Sequence, residues 1–335
     1  MDTDKKTSRA HKKLRVLAGL ITTLGSTGVI GQYWMTATNG FSNLDLSKPQ
    51  GVTRVDSNEP AYLAERTADV KKRFVDMIAS NAQQNFIFTL TPDERALAKN
   101  TLDQYNFMEE IRGKNGLYAA AFKKSDTGEV VITYGGTSSK NGIMPVINNI
   151  DDMFISTAGG EISQLKDALD FAKHIKKKYG KIDYVTGYSI GGYLALYLVG
   201  TGGCPGAECY VFDAPGVSQA MLNNCCEKSH SSRETVEQRF KDQCTSVTLS
   251  HNTYNTLGQQ AGEYLTFSND VCNWSIIPKG HLFPEQTANI LHGTQMMHGD
   301  NSTSSNGPVV CTTALSTLAA LGIALSLKKD KAIMP

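Results

Sequence analysis

The residues best placed to do chemistry lie in Tyr184-Val-Thr-Gly-Tyr-Ser-Ile-Gly-Gly-Tyr-Leu-Ala-Leu-Tyr-Leu198, where Gly187, Ser189 and Gly191 form a Gly-x-Ser-x-Gly spacing. A serine hydroxyl becomes a nucleophile toward an acyl carbonyl when it stands clear on a sharp turn between a strand and a helix. The flanking glycines leave room for that turn, and Gly192 lets the helix pack close to the sheet. The helix N-terminus then directs partial positive charge at the oxyanion that forms on attack. A chain with 30 glycines can match this spacing by chance. Context separates the two readings: Ile182 to Thr186 reads as a buried strand, and Ile190 to Val199 as an apolar helix.

The elements that must hold such a turn are legible on both sides of it. Leu63, Val70, Phe74, Met77 and Ile78 recur at helical spacing, and Thr91-Pro-Asp-Glu94 reads as the capped start of a second helix. Leu117 to Phe122 and Val130 to Tyr134 read as adjacent strands joined by the turn Lys124 to Gly128. Ile162, Leu165, Leu169, Ala172, Ile175 and Tyr179 define one helical face closed by Gly180. Tyr210 to Phe212, Val247 to Leu249 and Tyr264 to Phe267 are three further short strand-like runs. Strands alternating with helices imply an α/β fold with a mostly parallel sheet covered on both faces, preceded by an N-terminal helical flank.

Composition narrows the function classes. The net charge is +1, and no basic patch interleaved with aromatics is present, which argues against a nucleic-acid partner. Neither a phosphate-binding Walker loop nor a Gly-x-Gly-x-x-Gly opening occurs, so no nucleotide cofactor is implied. Of seven cysteines, Cys204, Cys209, Cys225, Cys226, Cys244 and Cys272 fall in one region, an even number that suits up to three disulfides in an oxidising compartment. Cys311 stands apart from them. Their spacing does not suit zinc, and no metal is expected.

Both ends differ from the middle. Lys5, Lys6, Arg9, Lys12, Lys13 and Arg15 precede a mildly apolar run from Val16 to Trp34, which reads as a signal or anchor. Val309 to Leu327 is apolar apart from Thr and Ser, and Lys328, Lys329 and Lys331 follow it. If both runs span a bilayer, both termini lie on the cytoplasmic side and the domain between them is exported. The alternative is a cleaved signal with a C-terminal helix packed on protein. The expected organisation is therefore a basic and apolar segment over 1–40, a linker over 41–60, a folded domain over 61–300 and a polar linker, apolar segment and basic tail over 301–335. Membrane association or export is the expected location, with a cytoplasmic one as the alternative.

Five segments together resemble the α/β-hydrolase fold, and within it the class 3 lipases: Gly116 to Ala119, Gly128 to Thr137, Asp151-Asp152 with Gln164 and Ala168, Gly187 to Gly192, and Phe212 to Gly216. The likeness covers roughly residues 116–262. It implies a serine hydrolase acting on carboxylic esters, lipid esters among them, with no cofactor. Tyr134-Gly-Gly-Thr137 is similar to the lipases' Phe-Arg-Gly-Thr, so the resemblance gives Thr137 and Ile190 as oxyanion-hole donors. The chain departs from the family at Gly135, where arginine is usual, and at Tyr188, where histidine is common.

In that fold the acid and then the histidine follow the serine. His281, after the last strand-like run, is the first choice of base, with His292 and His298 as alternatives; His174 and His230 read as surface residues, and His251 comes too early. The family places an aspartate just before a Leu-Gly-x-x-x-Gly stretch, which Leu257 to Gly262 resembles. Here His251 to Thr256 occupies that place and contains no carboxylate. Asp213, at a strand end where some related lipases carry their acid, is the preferred substitute, and Asp270 is the alternative. Two other functions stay open: an acyltransferase using the same serine, and a binding protein that keeps the fold without catalysis.

Overall fold

The computed structural model describes residues 48–82, 96, 99–100, 103–113, 115–135, 162–249, 258–267 and 296–298. Its strands are β1 (Thr53–Arg54), β2 (Tyr105–Arg112), β3 (Tyr118–Lys124), β4 (Val130–Tyr134), β5 (Tyr184–Tyr188), β6 (Glu208–Phe212), β7 (Cys244–Leu249), β8 (Gly262–Phe267) and β9 (Met296–His298). Its helices are α1 (Pro60–Ala82), α2 (Leu165–Tyr179), α3 (Ile190–Gly200), α4 (Gln219–Ser229) and α5 (Arg233–Gln243). All nine strands join one sheet, in the order β1-β8-β7-β6-β5-β4-β3-β2, with β9 also paired to β8. From β4 through β8 the strands run parallel, while β2 and β3 add an antiparallel margin. The fold is thus α/β, with a mostly parallel sheet and helices on both faces.

Alternation along each strand divides the core in two. Val185, Val211 and Ile132 face a layer made by α2, α3, α4 and α5, while Tyr188, Tyr210, Phe212, Val247 and Leu265 face α1. Helix α1 reaches that second face through Val70, Phe74 and Met77, one apolar stripe at helical spacing. Phe74 meets Phe212 edge to face at a centroid distance of 5.0 Å. Helix α3 is apolar all round and buried along its whole length, as a helix between a sheet and other helices must be.

Charge also ties α1 to the sheet. Arg66 on α1 contacts Glu263 on β8 at 2.8 Å, and Glu263 is wholly buried. Tyr62 donates to the other Glu263 oxygen at 2.9 Å, and Arg66 also donates to Tyr210 and Thr245. Two turns further, Arg73 and Asp76 pair at 2.9 Å, with Tyr105 donating to Asp76 at 2.7 Å and the Arg73 guanidinium over the Tyr184 ring. Burial pushes the Asp76 carboxyl up, opposed by the Arg73 charge.

Some elements escaped the sequence reading. Strand β2 is a half-exposed edge whose alternation is blurred by Asn106, Glu109, Glu110 and Arg112, and its register shifts between Phe107 and Glu109. Helices α4 and α5 carried usable signals: Ser218 and Ser232 cap them, accepting from the amides of Met221 and Thr235 at 3.1 and 3.3 Å. Within the stretch read as a linker, Thr53–Arg54 adds to the sheet edge beside Gly262 and Glu263. The helix expected from Thr91 has its start outside the described residues, as do both apolar terminal runs. Among the described residues no helix is long and apolar enough to cross a membrane.

The disulfide expectation is not met among the described residues. Cys204, Cys209, Cys225, Cys226 and Cys244 are free thiols, and Cys272 and Cys311 lie outside the description. Cys209 and Cys244 sit opposite each other on β6 and β7 in the apolar layer, where cysteine packs as a small apolar side chain. The hydrogen bond to Cys244, together with burial, pushes the Cys209 thiol up, and burial does the same to Cys204 and Cys225. Thiolates are scarce under such conditions, so these side chains are poor nucleophiles and poor redox partners.

Candidate active site

Strand β5 lies in the middle of the sheet, between β4 and β6, and its C-terminal end turns into α3 at a single residue, Ser189. Ser189 has φ 55° and ψ −122°, a conformation that L side chains rarely adopt. Its amide donates to the carbonyl of Phe212 at 3.0 Å, while its own carbonyl accepts from Gly192 and Tyr193 at 3.0 and 3.2 Å. The residue is therefore clamped on both sides in a strained state. Such strain costs about 1–3 kcal/mol and persists only where the surroundings over-determine it.

The glycines around it are required by space. A Cβ on Gly187 would stand 2.3 Å from the Gly191 carbonyl oxygen, and one on Gly191 would stand 2.2 Å from the Tyr134 carbonyl oxygen. A Cβ on Gly192 would meet the Ala214 Cβ at 2.4 Å. The turn closes because three consecutive contacts carry no side chain. The Gly191 contact also brings the C-terminal end of β4, and with it Gly135, against the start of α3.

The geometry around Ser189 suits acyl chemistry. The side chain sits at the N-terminus of α3, where backbone amides lack intrahelical partners. The Ile190 amide has no hydrogen-bond partner among the described residues. Ser189 is 5% exposed, so it is reached by only a narrow approach within the described part of the chain.

Asp213 follows β6 directly and is wholly buried, with φ 46°. Because Tyr188 and Phe212 are partners in register, Ser189 and Asp213 occupy neighbouring strand ends. The Asp213 amide donates to the Val247 carbonyl at 2.9 Å, which ties it to β7 as well. The loop that follows is pinned by reciprocal bonds between Val217 and Gln259, both 2.8 Å. Gly258 to Gly262, the described part of the Leu-Gly-x-x-x-Gly stretch, thus packs against the Asp213 loop.

The other sequence-derived candidates fall into two groups. Thr137, His281, Asp270, His251 and His292 lie outside the described residues. His298 is described and sits elsewhere: it is on β9, four strands from β5, or about 19 Å across the sheet. Its Nε2 pairs with the Ser57 carbonyl at 3.0 Å. His174 is an exposed residue contacting Glu109 at 2.7 Å, and His230 ends α4 in the left-handed region, so both are surface residues as expected. Among the described residues, no group of three or more His, Cys, Asp or Glu side chains could hold a metal ion.

Comparison with known proteins adds little at the level of sequence: no family model matches the chain, and no curated protein matches it. Similar solved structures include a Rhizomucor miehei lipase–propeptide complex, 13% identical over 85% of this chain and 88% of that one, at a TM-score of 0.42. A nonglycosylated Yarrowia lipolytica LIP2 lipase is 14% identical over 76% of this chain and 92% of its own, at 0.43. A mutant of MDLA from Penicillium cyclopium is 12% identical over 75% and 91%, at 0.40. At these scores the likenesses carry no weight for the chemistry; the sheet order and the strand–Ser189–helix turn are what this chain has of the α/β-hydrolase architecture.

Proposed function

We propose that the protein is a serine hydrolase that cleaves carboxylic esters, lipid esters foremost, through an acyl-enzyme on Ser189. The observation that carries this reading is the φ 55°, ψ −122° conformation of Ser189 between glycines that tolerate no Cβ. A fold has no structural use for a strained, non-glycine residue at that turn, because glycine would relieve the strain; a reactive hydroxyl gives the reason for serine.

In this reading the Ser189 hydroxyl oxygen bonds to the acyl carbon as His281 takes its proton, giving a tetrahedral oxyanion. The Ile190 amide and Thr137 stabilise that oxyanion, each donor contributing about 3 kcal/mol to lowering the barrier. Collapse breaks the ester bond, and His281 returns its proton to the leaving alcohol. Water, deprotonated by the same imidazole, then releases the acid and restores Ser189. Asp213 holds His281 in the productive tautomer and stabilises its cation, with Asp270 as the other carboxylate for that role. The catalytic unit is the domain expected over residues 61–300 with β1 (Thr53–Arg54) added to its sheet, flanked by the segments 1–40 and 301–335.

The test is turnover of p-nitrophenyl esters of increasing acyl length by the wild type and by Ser189→Ala. The reading expects a loss of roughly 10⁴-fold or more on the best ester, as for removal of a triad nucleophile. Equal turnover by both would contradict it.

A further inference from the structure

Tyr134 meets both glycines that frame Ser189. It is the strand partner of Gly187 on β5, and its carbonyl oxygen is the atom that a Cβ on Gly191 would meet at 2.2 Å. The Gly135 carbonyl oxygen lies 2.7 Å from the same point. The end of β4 thus forms one wall of the Ser189 turn, next to the residue whose amide is assigned to the oxyanion, Ile190.

The side chain of Tyr134 reaches in another direction. Its ring is wholly buried in the apolar layer between the sheet and the helices, and its hydroxyl donates to the Ala168 carbonyl of α2 at 2.8 Å. A carbonyl in the body of a helix already takes an amide of its own helix, so this bond uses its second lone pair and is not needed to satisfy α2. Helix α2 is held independently where it begins: Asn115 donates to the Ser163 carbonyl at 2.9 Å and to Asp167 at 3.1 Å. Asn115 stands just before β3, and the Tyr118 carbonyl on β3 accepts from the Gly135 amide at 3.0 Å. A closed circuit therefore runs from β3 to α2 through Asn115, from α2 to β4 through Tyr134, and back to β3 through Gly135.

The oxygen atom in this circuit calls for a reason. Phenylalanine would fill the same space without the cost of burying a hydroxyl, and it is the residue that opens the lipase motif which Tyr134-Gly-Gly-Thr137 resembles. Burial pushes the Tyr134 pKa well above the ordinary tyrosine range, so the group stays a neutral donor and takes no part in proton transfer.

We infer that Tyr134 is a positioning residue for the reaction at Ser189: its hydroxyl sets the end of β4 against the start of α3, and with it the oxyanion donors relative to the Ser189 oxygen. The inference rests on Ser189 being the nucleophile. Misplacing a reacting group by about 1 Å can cost on the order of 10²-fold in rate, so one bond remote from the substrate is enough to matter.

Tyr134→Phe removes a single oxygen atom, and two measurements on the full chain test its role. Amide hydrogen exchange does not need Ser189 to react: the Gly135 and Gly192 amides should exchange roughly fivefold faster, with those of β7 unchanged. In p-nitrophenyl ester turnover, kcat should fall about tenfold with KM held within about twofold, the mark of a loss felt in the transition state alone. Tyr210→Phe removes another buried hydroxyl, one bonded to Glu208 and Arg66 away from the turn, and should keep the wild-type kcat. Unchanged exchange at Gly135 and Gly192 would overturn the proposal whatever the activity. An unchanged kcat, equal slowing in Tyr210→Phe, or a Tyr134→Phe chain that does not fold would do the same, since the hydroxyl would then serve the fold and not the site. Faster exchange in Tyr134→Phe together with no turnover by the wild type marks a different failure: the Ser189 reading falls, and the positioning role falls with it.

Discussion

Ser189 and Asp213 stand at the upper ends of neighbouring strands, both with φ in the left-handed region, and the amide of Ser189 is bonded to the carbonyl that precedes Asp213. Two non-glycine residues in costly conformations are thus locked to each other through one peptide group. Whatever moves the end of β6 moves the turn at Ser189.

This relationship makes Asp213 testable apart from its charge. Asp213→Asn keeps the size and removes the carboxylate; ester turnover should fall by about 10⁴-fold if the group sets the imidazole tautomer. Asp213→Gly should relieve strain at φ 46° and change thermal stability in the favourable direction, while losing activity equally. Full activity in Asp213→Asn would pass the acid role to Asp270.

Strain at Ser189 gives a second prediction. Ser189→Gly should raise unfolding free energy by about 1 kcal/mol or more over Ser189→Ala, because only glycine adopts this conformation without strain. Chemical denaturation of the two variants measures it. Similar stability for both would mean that the turn holds no strain.

Gly191→Ala should be severely destabilising. Its Cβ would lie 2.2 Å from a backbone oxygen on β4, which cannot yield without moving a central strand. Overpacking of this kind costs about 1–3 kcal/mol, and more where backbone must shift. A thermal melt unchanged by the substitution would contradict the contact.

The α1 anchorage should respond asymmetrically to substitution. Glu263→Gln removes the buried partner of Arg66 and leaves it only the more exposed Asp69 at 3.0 Å, so the loss should be measurable but below the about 3–5 kcal/mol of a charge left with no partner. Replacing Arg66 and Glu263 together by Met and Leu should cost much less, which a double-mutant cycle in urea would show.

Acid sensitivity has a definite source at the β2 edge. A hydrogen bond from Lys178, with others from Tyr179 and His174, holds the Glu109 carboxyl down to about 2 from its ordinary 4.5. A depressed carboxylate adds stability above its unfolded pKa and loses it as pH falls through the folded one. Stability should therefore decline between about pH 4.5 and pH 2, and Glu109→Gln should flatten that part of the profile. The effect should shrink in high salt, since the group is partly exposed.

The central strands, α1, α2 and α3 were legible because burial on one or two faces imposes a period on the sequence: Val70, Phe74 and Met77 mark a stripe, and Val130 to Tyr134 an unbroken buried run. Strand β2 was not, since an edge strand half in water has no need to alternate strictly, as Glu109 and Glu110 illustrate. Helix α5 buries only Val236 and Phe240, too short a stripe to stand out without its Ser232 cap. At the site, the Gly-x-Ser-x-Gly spacing announced a local turn, which one segment of chain can encode by itself. The cysteines misled because clustering in sequence says nothing of side-chain direction: Cys209 and Cys244 meet only through strand pairing, and do so as free thiols.

The account depends on Ser189 being a nucleophile, and its most direct measurement is covalent labelling by a fluorophosphonate probe followed by mass spectrometric mapping of the adduct. One phosphonyl group on the peptide containing Ser189, absent in Ser189→Ala, is the predicted result. An intact, folded chain that takes no label at Ser189, or labels equally after Ser189→Ala, would contradict it.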